Sequence, residues 1–178
     1  MGERRTGYLS AVATGPVLIL DHDNVQRKLD RIAIQLCEEN WSEKRIVLVG
    51  VVPRGLKLAG RLAGMIKEHH AVDTQVLELR LDKNDPLTGP VVLSADLDSL
   101  KDRTVVLVDD VLMSGRTLMH AAAYLVQVKL KKLTTVVLVD RRHRAYPIRA
   151  DIVGLTLSTT VQEHISVELG RKDAVYLS

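Results

Sequence analysis

The sequence predicts an α/β fold with a mostly parallel sheet covered by helices on both faces. Apolar runs rich in β-branched residues at 46–52, 104–108 and 134–139 have the length and composition of buried strands. Segments with apolar residues at helical spacing lie between these runs. Alternating strands and helices favour a parallel sheet, in which ligands bind beyond the carboxyl ends of the strands.

The composition indicates one soluble domain covering residues 1–178. The chain is 46% hydrophobic and 26% charged, enough for one substantial core. Its 25 lysines and arginines against 22 acidic residues suit an anionic ligand, but this surplus does not by itself indicate nucleic-acid binding. The single cysteine, Cys37, excludes a disulfide framework within one chain and fits a reducing cytoplasm. Since no apolar run has the length of a membrane span, we expect no membrane partner.

The first half of the chain contains two predicted helices. Asp23 is a candidate cap for the first helix, which ends near Asn40 and has the helically spaced apolar residues Val25, Leu29, Ile32 and Leu36. The strand 46–52 leads through a Pro-Arg-Gly turn into the second helix, whose apolar residues are Leu58, Leu62 and Met65. A further strand is predicted at 76–81, and the turn-rich segment 82–89 is predicted to be mobile.

Two carboxylates and a small-residue turn follow the strand that begins at Thr104. The turn, Ser114-Gly115-Arg116-Thr117, opens a helix that continues through Leu118, Ala121, Ala122, Leu125 and Val128. Its backbone N–H groups and the positive end of the helix dipole can hold a phosphate. Asp109 and Asp110 at the strand end are acceptors suited to a vicinal diol or to the water shell of Mg²⁺. The sequence therefore predicts a site for a phosphorylated sugar.

At these residues the chain resembles the type I phosphoribosyltransferases, which bind 5-phosphoribosyl-1-diphosphate (PRPP). The resemblance covers the full length and implies a parallel sheet with a small hood region, Mg²⁺ as cofactor, and Asp109 and Asp110 as catalytic, metal-binding and substrate-binding residues. It extends the substrate-binding residues to Met113, Ser114, Gly115, Arg116 and Thr117. Pro53, Arg54 and Gly55 resemble the family's pyrophosphate loop, with Arg54 in a catalytic role.

Arg80 aligns with an arginine at the base of the family's flexible catalytic loop. Loop closure there would bring positive charge to the leaving diphosphate, which helps because displacement at the anomeric carbon passes through an oxocarbenium-like state. A solvent-exposed residue at the strand end is an equally open interpretation of Arg80.

The segment 137–154 resembles the PyrR family, bifunctional uracil phosphoribosyltransferases that also bind pyrimidine-operon messenger RNA. The family pattern is preserved except that Arg142 replaces a glycine. The resemblance places Asp140 and Arg141 by the base pocket. Purine-specific relatives often carry an aspartate where this chain has Met113, which cannot take a proton from a base.

The resemblance also places His143, Arg144 and Arg149 on a basic RNA-binding face. Several cations in one short segment can neutralise phosphates. In the first helix, however, Asp30 and Ile34 replace the family's threonine and histidine, and Leu155 replaces a common lysine. A solvated basic turn is therefore at least as good an interpretation of the segment as attenuator binding.

The activity implied by the resemblance is Mg²⁺-dependent transfer of ribosyl 5-phosphate from PRPP to a nucleobase, with uracil expected and UMP and pyrophosphate as products. Two alternatives stay open at this point. One is a PyrR-like RNA-binding attenuator with weak or no catalysis, and the other is a purine phosphoribosyltransferase. The resemblance further implies a cytoplasmic homodimer.

Overall fold

The computed structural model describes residues 15–69, 72–158 and 163–178. In chain order the elements are β1 Val17–Leu20, α1 His22–Glu39, β2 Arg45–Val51, α2 Arg54–His69, β3 Asp73–Arg80, β4 Val92–Leu93, a 3-10 turn Leu97–Leu100, β5 Thr104–Leu112, α3 Arg116–Leu125, β6 Lys132–Asp140, β7 Ile152–Thr156, β8 Ile165–Glu168 and β9 Ala174–Leu177.

The larger sheet has six strands in the order β4-β3-β2-β5-β6-β7 and is parallel except for the short edge strand β4. Helices α1 and α2 cover one face, where side chains such as Leu29 and Leu62 share a buried cluster with Leu48 of β2. Helix α3 and the 3-10 turn cover the other face, where Leu118 and Leu100 pack against Val49. This arrangement confirms the α/β fold that the sequence predicts. In the described part of the chain, every helix is too short or too polar to cross a membrane.

A separate antiparallel sheet, in the order β1-β9-β8, forms the hood. The carboxylate of Asp173 attaches the hood to the helices, and its side chain is fully buried. It accepts hydrogen bonds from the Gln26 amide at 2.6 Å and the Gly170 backbone N–H at 2.9 Å, and it pairs with the Arg61 guanidinium. These contacts join α1, α2 and the turn between β8 and β9, so the hood is fixed over the sheet.

The first helix begins earlier than the sequence pattern suggests. Asp21, not the predicted Asp23, is its cap, and the Asp21 side chain accepts the Asn24 N–H at 2.8 Å. Asp23 lies in the first turn, where its negative charge complements the helix dipole. The prediction was wrong by two residues because both positions offer an acidic side chain and only the backbone geometry selects between them.

Two glycines bring the start of α2 against the sheet. A Cβ atom on Gly55 would lie 2.5 Å from the Val108 carbonyl oxygen, and one on Gly50 would lie 2.4 Å from Leu56 Cα. Either approach is far closer than van der Waals contact, so the helix can reach this position only with glycine at both places. The close packing holds Arg54, the first residue of α2, beside the carboxyl end of β5.

Candidate active site

A cavity of about 410 Å³ opens at the carboxyl edge of the large sheet. The end of β5, the loop that leads into α3, the start of α2 and one end of the hood all contribute to its wall. The structure brings together at this cavity nine of the residues predicted from the sequence, namely Pro53, Arg54, Asp109, Asp110, Met113, Ser114, Gly115, Arg116 and Thr117. Gly55 lies immediately behind the wall, packed on Val108 and Asp109.

Asp109 and Asp110 are both buried at the end of β5, and two cations reach them. Lys83 Nζ lies 2.9 Å from Asp109 Oδ1 and 3.6 Å from Asp110 Oδ1. Arg54 donates from Nη1 to Asp110 Oδ2 at 3.2 Å. The pair of carboxylates is thus held by one lysine and one arginine from two different elements.

Burial sets the protonation behaviour of Asp109. Loss of solvent around this side chain raises its pKa to about 7, the nearby Asp110 charge adds to the rise, and the Lys83 ammonium opposes it. Asp109 is therefore a carboxyl group that exchanges its proton near neutral pH. The charge on Asp109 therefore depends on the other charges close to it, such as the Lys83 ammonium and the Asp110 carboxylate.

The segment Met113–Thr117, called the 113–117 loop, has the geometry of an anion-binding turn. Gly115 is in the left-handed region at φ 85° and immediately precedes α3. Ser114 Oγ accepts the Arg116 N–H at 3.3 Å, which folds the turn back on itself. Arg116 donates from Nη1 to the Asn84 carbonyl oxygen at 2.9 Å and connects the turn to the segment after β3. The start of α3 lies at the cavity wall, where the first N–H groups of a helix lack partners within the helix.

The structure does not bring Arg80 into the cavity. Its side chain is 67% exposed and pairs with Glu78 on the same strand, and Arg80 is absent from the described residues that line the cavity. Side chains two apart on a strand share one face, which explains the pairing. The catalytic role of Arg80 stays a prediction, and the cation that reaches the carboxylates in this structure is Lys83, three residues later.

Asp140 and Arg141 also lie outside the cavity wall. Both are buried at the end of β6, where the Arg141 N–H donates to the Leu112 carbonyl oxygen at 3.0 Å. Burial alone would raise the pKa of Asp140, but hydrogen bonds from the Arg144 guanidinium and the Arg142 N–H keep that pKa below its ordinary value. The structure thus shows Asp140 in an ion pair with Arg144 behind the 113–117 loop, and its contact with the base stays a prediction.

The predicted RNA-binding residues differ in their exposure to solvent. His143 and Arg149 are exposed. Arg144 is only 22% exposed, and its guanidinium is bonded to protein acceptors, among them Asp140 Oδ2 at 2.6 Å. These bonds fix the orientation of the guanidinium and leave only part of it accessible to solvent. An RNA contact of Arg144 stays a prediction.

The cavity residues that were not predicted include Lys83, Asn84, His164 and Ile165. Lys83 and Asn84 belong to the turn-rich segment 82–89, which has no apolar periodicity. The signal in the sequence that could have indicated Lys83 is its position shortly after a predicted strand, where ligands bind in parallel sheets. His164 and Ile165 come from the hood, more than 45 residues along the chain from the 113–117 loop, as the printed sequence shows. Only the three-dimensional fold places them at the site.

Comparisons with known proteins identify the family of this chain. A family model described as the phosphoribosyl transferase domain matches residues 18–171. The Bifunctional protein PyrR of Pelotomaculum thermopropionicum is 42% identical over 162 residues, which cover 87% of this chain and 90% of the relative. The protein of the same name from Alkaliphilus metalliredigens is 41% identical over 172 residues, covering 90% and 94%.

Solved structures show the same fold at lower identity. The hypoxanthine-guanine phosphoribosyltransferase of Bacillus anthracis has a TM-score of 0.66 at 22% identity and covers 79% of this chain and 82% of its own. The hypoxanthine phosphoribosyltransferase of Trypanosoma cruzi has a TM-score of 0.69 at 17% identity, covering 79% and 81%. Sequence and fold therefore agree, and the chain belongs to the type I phosphoribosyltransferase family, in its PyrR group.

Proposed function

We propose that the protein transfers ribosyl 5-phosphate from PRPP to uracil, with Mg²⁺, and releases UMP and pyrophosphate. The observation that carries the proposal is the meeting of three features in one cavity: the buried pair Asp109 and Asp110, the cations Arg54 and Lys83, and the glycine turn at the start of α3. A phosphorylated sugar diphosphate needs acceptors for its hydroxyls, cations for its diphosphate and backbone donors for its 5-phosphate.

The donor set fits Mg²⁺. Two carboxylates that already share the Lys83 ammonium offer oxygen ligands to a cation at the same place. The described residues contain no cluster of three or more histidine, cysteine, aspartate or glutamate side chains that could hold a metal. Mg²⁺ commonly uses one or two carboxylates when substrate phosphates and water complete its shell. Asp109 and Asp110 would hold it, and the bound ion would supply charge that offsets the developing charge of the leaving diphosphate.

The protein's own groups have separate tasks in this proposal. The 113–117 loop and the first N–H groups of α3 hold the 5-phosphate, which orients the sugar. Arg54 and Lys83 stabilise negative charge on the departing diphosphate, because each is a cation at the cavity wall. No side chain has to attack the anomeric carbon, since the nucleobase nitrogen is the nucleophile. The hood, through His164 and Ile165 at the cavity wall, limits the access of water.

Uracil is proposed as the base for two reasons. The relatives in the PyrR group support a pyrimidine, as the resemblance in the segment 137–154 implies. Met113 lines the cavity where purine-specific relatives often place an aspartate, and a thioether cannot accept a proton from a purine ring. The hypoxanthine enzymes among the solved structures share less than 25% identity with this chain, and their likeness supports the fold alone.

Pyrophosphate release tests the proposal directly. The protein is incubated with PRPP and Mg²⁺ and, in separate reactions, with uracil, hypoxanthine, guanine, xanthine and orotate. We expect the largest kcat/KM with uracil and no release when Mg²⁺ is removed with a chelator. A larger kcat/KM with a purine would overturn the choice of base and leave the PRPP site in place, whereas no release with any base would favour a regulator without catalysis.

A further inference from the structure

The segment 141–148 packs directly on the 113–117 loop from outside the cavity. The Ser114 carbonyl oxygen accepts two backbone hydrogen bonds, from Ala145 at 2.9 Å and from Tyr146 at 3.0 Å. A Cβ atom on Gly115 would lie 2.8 Å from Ile148 Cγ2 and 3.2 Å from the Tyr146 carbonyl oxygen. The contact is so close that the turn cannot move outward without displacing the segment 141–148. The shape of the ligand-facing turn thus depends on the segment behind it.

Arg144 is the side chain that fixes the segment 141–148 in this position. Its Nη2 donates to Asp140 Oδ2 at 2.6 Å and its Nε donates to the Ile148 carbonyl oxygen at 2.8 Å. A longer contact of 3.5 Å joins Nη1 to the Met113 carbonyl oxygen. The planar guanidinium therefore reaches three acceptors: one at the end of β6, one on its own segment and one on the 113–117 loop. A lysine ammonium has the same charge but cannot span acceptors spread in this way.

Asp140 attaches the guanidinium to the sheet. It is the last residue of β6, it is buried, and its Oδ1 also accepts the Arg142 N–H at 2.8 Å. A bond to a buried strand end gives Arg144 a rigid support, since β6 is paired on both sides within the sheet. The contacts run continuously from the sheet through Asp140 and Arg144 to the backbone of the turn.

We propose that Arg144 is a positioning residue for PRPP binding, holding the 113–117 loop in the shape that accepts the 5-phosphate; the link to PRPP rests on the function proposed above. Arg144 does not line the cavity, so its effect on the ligand passes through the turn. Tyr146 contributes to the same support, because the Arg116 guanidinium lies 5.9 Å from the centre of its ring. A preorganised turn binds anions more tightly, because less ordering is needed on binding.

Arg144→Lys and Arg142→Lys form a matched pair for the test. Both keep the charge and lie in the same segment, but the Arg142 side chain is exposed, and the hydrogen bond of that residue to Asp140 comes from its backbone. The first measurement is amide hydrogen exchange of Ala145 and Tyr146 in the ligand-free protein, corrected for intrinsic rates. We expect exchange at least about tenfold faster in Arg144→Lys and within about twofold of the wild type in Arg142→Lys.

The second measurement is PRPP affinity by isothermal titration calorimetry, together with KM and kcat for PRPP. We expect Arg144→Lys to raise Kd and KM about tenfold while kcat and the melting temperature change little, and Arg142→Lys to match the wild type. Unchanged exchange and unchanged affinity in Arg144→Lys would overturn the inference, as would an equal loss in both variants. If the wild type binds no PRPP, the proposed function fails, and the exchange data alone then decide whether Arg144 holds the turn.

Discussion

At the scale of single residues, the buried carboxyl of Asp109 makes stability depend on pH. Its pKa is raised from 3.8 to about 7, so the folded protein keeps a proton that the unfolded chain has already released between these values. The free energy of unfolding should therefore fall as pH rises through this window, by at most about 1.4 kcal/mol per pH unit from this group. Urea unfolding at several pH values, for the wild type and Asp109→Asn, measures the difference. Equal slopes in the two proteins would contradict the prediction.

The cavity residues Asp110 and Thr117 should affect ligand use more than stability. Asp110→Asn removes a charge that Arg54 and Lys83 contact, and we expect kcat/KM for PRPP to fall by about one to two orders of magnitude, equivalent to about 1.5–3 kcal/mol.

Thr117→Val keeps the shape of the side chain and removes one hydroxyl at the cavity wall. We expect kcat/KM for PRPP to fall by an amount equivalent to about 0.5–1.5 kcal/mol. Steady-state kinetics and thermal melts check both. Unaltered kinetics in both variants would remove the basis of the site.

Individual site residues were predictable where one short stretch of sequence carries the geometry. Asp109 and Asp110 lie near the end of β5 and the 113–117 loop follows it directly, so local spacing was enough to bring them together. Lys83 was missed because the path of the chain after β3 determines which cation reaches the carboxylates. No periodic pattern in the sequence encodes that path.

At the scale of elements, the placement of α2 depends on the glycine at its start. Gly55→Ala puts a methyl group 2.5 Å from the Val108 carbonyl oxygen and 3.0 Å from Asp109 Cα, so the helix must shift away from β5. We expect a loss of about 1–3 kcal/mol in stability and a marked loss of PRPP binding, since Arg54 moves with the helix. Gly60→Ala is the matched control, because nothing lies within 4 Å of its Cβ position.

Gly60→Ala should stabilise the protein by about 0.5–1 kcal/mol, because alanine favours the helix interior and the site is untouched. Chemical denaturation and PRPP titration of both variants give the two readouts. If Gly55→Ala bound PRPP as tightly as Gly60→Ala, the close packing of α2 on β5 would not be what sets the site.

The elements themselves were largely predictable because they have strong periodic signals. The helical spacing of Leu58 and Leu62, and the continuous apolar run of β5, leave little ambiguity about the type of element. The hood was expected only from the family resemblance. Its strands β1, β8 and β9 have four residues each, and β1 pairs with a strand from the other end of the chain, so no local pattern indicates the pairing. Helix ends were less certain, as the two-residue shift from Asp23 to Asp21 shows.

At the scale of the whole molecule, the basic character of the chain is modest and part of it is used internally. The formal net charge is +3, and Arg144 is bonded to Asp140 behind the 113–117 loop. Arg31 of α1 donates to the carbonyl oxygens of Val153 at 2.5 Å and Gly154 at 3.1 Å. Both guanidinium groups therefore donate hydrogen bonds within the protein, Arg144 from a half-buried position and Arg31 from an exposed one.

We therefore expect RNA to bind weakly and with little sequence preference. Among the residues predicted for RNA contact, His143 and Arg149 are exposed, while α1 presents Asp30 and Ile34 to solvent, and neither of these can neutralise a phosphate. Binding carried by few phosphate contacts falls with salt and discriminates poorly between sequences. A pyrimidine-operon leader hairpin is competed against a scrambled hairpin of equal length, at several salt concentrations with UMP present.

The expected ratio of the two Kd values is below about tenfold, and Arg149→Ala should lower the salt slope by about 1 if that residue contacts a phosphate. Dedicated nucleic-acid regulators discriminate by about a thousandfold or more. A preference of that size in this protein would refute the prediction, because it would require base contacts that a few exposed cations cannot supply. It would also restore an RNA-binding role for this chain alongside its place in the phosphoribosyltransferase family.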